Sequence, residues 1–169
     1  MKTKSKKQEL RWAKSLDGKA IPGSGNQPSW KGDVDSGLNS PDFLDDWKLE
    51  CKTTKRPFYT LHIKDLTKLE GQAKKVSRLP AFVIEFLDAC LYNGNEYVII
   101  REQDFNNERF PHLLDNESTI YQIKSKNIKF TVEELDNYWL NDKKIELLYK
   151  DNLYIILNKL DFLKMIRRI

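Results

Sequence analysis

Residues 45–54 read Asp-Asp-Trp-Lys-Leu-Glu-Cys-Lys-Thr-Thr. Alternation along an extended segment sets Lys48, Glu50 and Lys52 on one face and Trp47, Leu49, Cys51 and Thr53 on the other. A carboxylate and an ammonium two residues apart, on a strand that must also help fill a core, call for a reason. Asp33 supplies one. It lies on a preceding short strand, and a hairpin brings it beside Glu50. Two carboxylates about one strand spacing apart, ~4.8 Å, suit a hard cation such as Mg2+, which prefers oxygen ligands and keeps several waters. Such a cation lowers the pKa of a bound water and stabilises charge on a phosphoryl oxygen. Lys52 then orients or deprotonates the attacking water, or neutralises the developing charge. Cys51 points the other way and packs, although its backbone carbonyl is placed to reach the metal. The plain alternative is a surface ion pair on an exposed strand.

The triplet Glu-x-Lys occurs once, whereas Asp-x-Lys begins at Asp17, Asp46 and Asp142. Asp46 and Lys48 share the strand with Glu50, so a site slipped by two residues stays open, as does one that uses Asp35.

The elements that must position this set are legible in outline. Leu10, Ala13 and Leu16 recur at helical spacing within 5–16, with Glu9 beside them. The stretch Ile21–Asp33 is rich in Gly, Pro, Ser and Asn and reads as a loop. Short strands are expected over 32–36 and 44–54. Ile63, Leu66, Leu69, Ala73 and Val76 form the apolar stripe of a helix over 62–78. Lys64, Lys68, Gln72 and Lys75 line another side of that helix. Gly71 costs about 1 kcal/mol against Ala in a helix and suggests a close approach to something. A strand over 80–87, a hairpin signal at Asn93-Gly94-Asn95 and a strand over 96–100 follow. Thr131 to Glu134 has the form of a capping box and should open a helix through about Leu140. A hairpin turning near Asp151-Asn152 and a closing helix complete the chain.

Charge is uneven. Lys and Arg outnumber Asp and Glu by 29 to 25 overall. Residues 1–19 hold seven basic and two acidic side chains, and residues 47–78 hold nine and three. Residues 102–151 reverse this, with eleven acidic and seven basic. The first half is therefore placed to hold a polyanion. The two cysteines, Cys51 and Cys90, make no disulfide framework and read as reduced thiols of a cytoplasmic protein. With only His62 and His112 beside them, a zinc site is not expected. No apolar run is long enough to span a bilayer.

The segments GSGN, KGDV, WKLECKTT, GQAKKV and PAFVIEF together resemble the PD-(D/E)xK nuclease superfamily, and within it the archaeal-type Holliday-junction resolvases and their phage counterparts. The resemblance covers about residues 5–105. It implies an α/β fold with a restriction-endonuclease-like core, a mixed β-sheet flanked by helices. Residues 1–110 would be that core, and 111–169 a C-terminal α+β extension packed on it. It implies Mg2+-dependent phosphodiester hydrolysis, with Mn2+ able to substitute, by a homodimer acting on branched DNA such as a four-way junction. Carried over by position, Asp33 and Glu50 are metal ligands, Lys52 activates water or stabilises charge, and Glu9 is the first-helix acid that completes the metal site. Ser24 and Gln72 match a serine and a helix glutamine near such sites. The first acidic motif is Gly-Asp where the resolvases have Pro-Asp, the loop between Gly25 and Asp33 is longer, and the tail has no counterpart.

Expected DNA contacts are Lys6, Lys7 and Arg11 around Glu9, Ser24 and Trp30 in the Gly-rich loop, and Lys64, Lys68 and Lys75 on the second helix. Each lysine group reads equally as a solvated helix face. Other readings are a restriction-type or single-strand nuclease on the same core, and a non-catalytic DNA-binding module. A high Lys, Asn and Ile content suits an AT-rich bacterium or its phage, hence a bacterial or phage-infected host cytoplasm.

Overall fold

The computed structural model describes residues 4–21, 34–37, 40–88, 95–110, 119–140 and 145–168. The elements are α1 (Lys4–Ser15), β1 (Lys19–Ala20), β2 (Val34–Asp35), β3 (Trp47–Thr54), β4 (Phe58–His62), α2 (Ile63–Lys75), β5 (Leu79–Phe86), β6 (Glu96–Arg101), β7 (Thr119–Gln122), β8 (Asn127–Thr131), α3 (Val132–Leu140), β9 (Ile145–Tyr149), β10 (Asn152–Asn158) and α4 (Lys159–Ile166).

Gln8, Trp12 and Leu16, spaced by four, form the buried stripe of α1 together with Ala13. Leu10 was expected on that stripe but is exposed. The bulkier Trp12, two positions on, takes the core site, and positions two apart point to opposite sides of a helix. The chain leaves α1 through Asp17, whose φ is 49°. At Gly18 a Cβ would lie 1.9 Å from the Asp35 carbonyl oxygen, so only glycine lets this turn press against β2.

Among the described residues, eight strands form one mixed sheet in the order β1-β2-β3-β5-β6-β10-β9-β7. β2 and β3 are antiparallel, β3 and β5 parallel, and β5 and β6 antiparallel. The parallel pair needs a crossover, which β4 and α2 provide. β10 then pairs antiparallel with β6, so the sheet runs on across residue 110 without a break. β4 and β8 form a separate two-stranded ribbon.

Alternation divides the sheet into two faces. On one, Trp47 meets Phe162 of α4 at 5.0 Å between ring centroids, and Phe162 meets Trp12 of α1 at 5.9 Å. On the other, Phe82 lies beside Glu50 in the β3–β5 register, and Tyr59 of the ribbon packs over it at 6.2 Å. α2 covers the same second face, where its Glu70 accepts hydrogen bonds from Arg101 and Tyr154. The fold is thus a large mixed sheet flanked by helices, in keeping with the α/β class expected from the sequence.

Most boundaries moved by one to three residues. α2 stops at Lys75, so Val76 is not part of its stripe but an exposed C-terminal cap. The capping box is present: the Thr131 hydroxyl accepts from Glu134 N–H at 3.1 Å and the Glu134 carboxylate accepts from Thr131 N–H at 2.9 Å. Gly71 corrects an expectation, since nothing lies within 4 Å of the Cβ it lacks. Asn93, Gly94 and Cys90 lie outside the described residues.

Candidate active site

The Glu50 face of β3 changes character along its length. At its start, Lys48 Nζ donates to Asp35 Oδ1 at 2.9 Å, with side chains 5% and 7% exposed. Arg78 approaches the other Asp35 oxygen at 3.6 Å. Two residues on, Glu50 is 23% exposed, and two further, Lys52 is 41% exposed, with Lys52 Nζ 2.7 Å from Glu50 Oε1. One line of charge therefore runs from a sealed ion pair to an accessible one. Lys48 and Asp35 hold the strands together, out of reach of a large anion. Glu50 and Lys52 can meet one. Of the slipped pair, Lys48 is committed to Asp35 in the core rather than to Asp46, whereas Glu50 and Lys52 pair with each other at the more exposed end of the strand.

Cys51 is buried on the opposite face. Its side chain packs among the hydrophobic residues there, which leaves only its carbonyl as a conceivable ligand. Val34 faces Leu49 and Asp35 faces Lys48 in the β2–β3 ladder. Asp33, Ser24 and Trp30 lie outside the described residues. Among the described residues, no three His, Cys, Asp or Glu side chains cluster in a way that could hold a metal ion.

α1 touches the site strand through a residue the sequence reading passed over. Gln8 is fully buried, and its Nε2 donates to the Lys52 backbone carbonyl at 3.3 Å. Its Oε1 is buried with no hydrogen-bond partner. The signal was present: Gln8, Trp12 and Leu16 share one side of the helix, and a glutamine on a buried side needs a polar target. Glu9, next to it, pairs with Lys6 at 3.1 Å. Arg11, expected to meet phosphate, is engaged in ion pairs while its side chain stays 46% exposed. It binds Glu85 at 2.8 Å and Glu96 at 3.5 Å, two carboxylates that face each other across β5 and β6. The Trp12 indole donates to Glu96 at 2.5 Å, and Lys159 approaches Glu96 at 3.5 Å. Burial, and then Glu96, push the Glu85 carboxyl above its usual value, while Arg11 pulls the other way.

Tyr59 is a second residue missed. It stands close enough to Lys52 and Glu50 to feel both charges, and burial pushes its hydroxyl up to about 12. Its strand escaped notice because Phe58–His62 is five residues bounded by Pro57 and a helix, without a turn signal of its own. On α2, Lys64, Lys68 and Lys75 are exposed and Gln72 is half-buried. Lys7 on α1 is exposed. Trp12 and Trp47 are core residues.

Among the described residues, no helix is long and apolar enough to cross a membrane. No family model matches the chain, and no curated protein matches it. Among solved structures, the chain is similar to Hjc, a Holliday junction resolvase from the archaeal hyperthermophile Archaeoglobus fulgidus, with 14% sequence identity and a TM-score of 0.48 over 75% of this chain and 86% of that one.

Proposed function

We propose that this chain is a divalent-metal-dependent DNA endonuclease, selective for branched DNA such as a four-way junction and active as a homodimer. The observation that carries the reading is the contrast along β3: Lys48 is sealed against Asp35, while Glu50 and Lys52 stand open. A purely structural row of charges has no need of an exposed end aligned with a buried one. The sequence resemblance supplies the same residues in the same roles.

Glu50 and Asp33 would hold the cation; Asp33 immediately precedes Val34, whose ladder partner Leu49 immediately precedes Glu50. When bound, Mg2+ or Mn2+ supplies Lewis acidity at the phosphoryl oxygen and a more acidic water. The chain's own groups do the rest. Lys52 neutralises charge on the phosphate as the water oxygen bonds to phosphorus and the bond to the leaving sugar oxygen breaks. Gln8 holds the Lys52 backbone in place from α1. Tyr59 closes one side of Glu50 without ionising near neutral pH. Two copies related by a twofold axis would offer two sites for paired incisions.

The test uses a labelled four-way junction, a matched duplex and a single strand, each with Mg2+ or EDTA. Paired nicks in the junction alone, lost with EDTA, with Glu50→Ala and with Lys52→Ala, are expected. Cutting of duplex or single strand instead keeps the nuclease and replaces its substrate. A second reading is a DNA-binding module without catalysis. It gains if none of the three DNAs is cut with Mg2+ or Mn2+.

A further inference from the structure

The ribbon of β4 and β8 packs through one side only. Tyr59, Leu61 and Phe130 turn towards the sheet, with Tyr59 and Phe130 rings 6.5 Å apart. The register pairs Phe58 with Thr131, Thr60 with Lys129 and His62 with Asn127, so these six share the outward side. His62 Nδ1 and Asn127 Oδ1 lie 2.5 Å apart, which ties the far end of the ribbon together.

The outward side carries Lys129, the segments leading into both strands add further cations, and the Glu134 carboxylate lies at its Thr131 end. Residues 55–62 and 123–131 hold Lys55, Arg56, Lys124, Lys126 and Lys129 and no Asp or Glu. All five cations are exposed, and none is ion-paired with another described residue. Residues 123–131 are thus a basic island inside the acidic half of the chain. Two of the cations are also pre-positioned. Lys129 Nζ sits 4.0 Å from the Phe58 ring centroid and the Arg56 guanidinium carbon 5.6 Å from it. A ring that holds two like charges side by side opposes their repulsion through its π face. It also removes part of the side-chain entropy that a flexible cation loses on binding. Lys55 and Arg56 follow Lys52 within four residues, at the end of the same strand.

We infer that the outward face of the β4–β8 ribbon is a phosphate-backbone clamp for nucleic acid, in which Phe58 fixes Arg56 and Lys129 as a paired anchor and Lys124 and Lys126 extend the track. The inference rests on the nucleic-acid part of the reading above but not on catalysis. DNA whose phosphate meets Lys52 continues over the turn at Lys55-Arg56 onto the ribbon. The interaction is made with the backbone, so it is independent of sequence and sensitive to salt.

The experiment is fluorescence anisotropy of the full chain with a labelled four-way junction and a labelled duplex, in EDTA, across a salt series. Arg56→Gln/Lys126→Gln/Lys129→Gln should weaken binding about tenfold or more and lower the salt slope by about two to three. Phe58→Leu, which keeps every cation, should weaken it about threefold. Lys129→Gln alone gives the same sign and stands in if the triple variant melts early by circular dichroism. Unchanged affinity and slope in a folded triple variant, or in Lys129→Gln, would overturn the clamp. So would wild-type binding to phosphatidylserine vesicles with none to DNA. Because no metal is present, a chain that never cuts can still pass, and a chain that cuts normally can still fail.

Discussion

Asp35 and Lys48 face each other across β2 and β3, 2.9 Å apart and almost sealed from water, four residues before Lys52 stands open on the same face. Removing one partner of a buried pair strands the other charge, at a cost of about 3–5 kcal/mol. Lys48→Met should therefore lose about 3 kcal/mol in urea unfolding, at unchanged denaturant slope. Lys52→Met should lose under about 1 kcal/mol, because an exposed pair contributes little, and should still abolish cleavage. Equal destabilisation by the two changes would contradict the division of β3 into a structural and a functional end.

The Glu85–Glu96 pair gives stability a pH dependence. Burial and the facing Glu96 raise the Glu85 pKa in the folded chain, against the pull of Arg11 and Lys159. The folded state then holds this proton more tightly than the unfolded one. The contribution is complete below the ordinary carboxylate range and is lost as pH rises through the raised value. Melting temperatures of Glu85→Gln and wild type, compared from about pH 4 to pH 8, should diverge in favour of the variant as pH climbs. A constant difference would count against the shift.

Tyr59 should titrate with its hydroxyl near 12 because it is buried. Absorbance at the tyrosinate band should be the same for wild type and Tyr59→Phe until well into the alkaline range. The same variant should leave the pH–rate profile of cleavage unmoved below about pH 10, the ordinary tyrosine value. A displaced profile would mean that Tyr59 exchanges a proton in the reaction.

Gly71 lies on the exposed side of α2 with open space where a Cβ would stand. Gly71→Ala should stabilise the chain by about 0.5–1 kcal/mol, through helix propensity and a stiffer unfolded state. Thermal unfolding checks this. A loss of stability would reveal a neighbour of α2 that these contacts do not include.

The helices were legible because their stripes are large and regular: Leu66, Leu69 and Ala73 bury where their spacing says they should. The Thr131–Glu134 box worked because its bonds are local. β3 was legible because polar and apolar residues alternate along it. What escaped is long-range. β4 and β8 pair across more than sixty residues, and neither carries a hairpin turn. Leu10 misled because Trp12, on the opposite side of α1, is the residue turned into the core, which leaves Leu10 facing out. Glu50 and Lys52 could be found as a pair from sequence, but their difference from Lys48 could not. Burial, which separates the two, is decided by Asp35 and Arg78 from elsewhere in the chain. Arg11 shows the same limit: a basic residue among lysines becomes a structural cation once Glu85 and Glu96 lie beneath it.

The insertion of β10 between β6 and β9 sets an order of events during synthesis. β6 leaves the ribosome long before residues 152–158 do, and until then its outer edge has no partner. An open edge of that kind recruits other strands, and Phe162, which joins Trp12 to Trp47, is later still. A chain halted at residue 110 would thus be a half-built sheet with a raw edge and an unfilled core. Any role of residues 111–169 beyond the scaffold must be sought with point substitutions, because cutting them away would remove part of the sheet along with them.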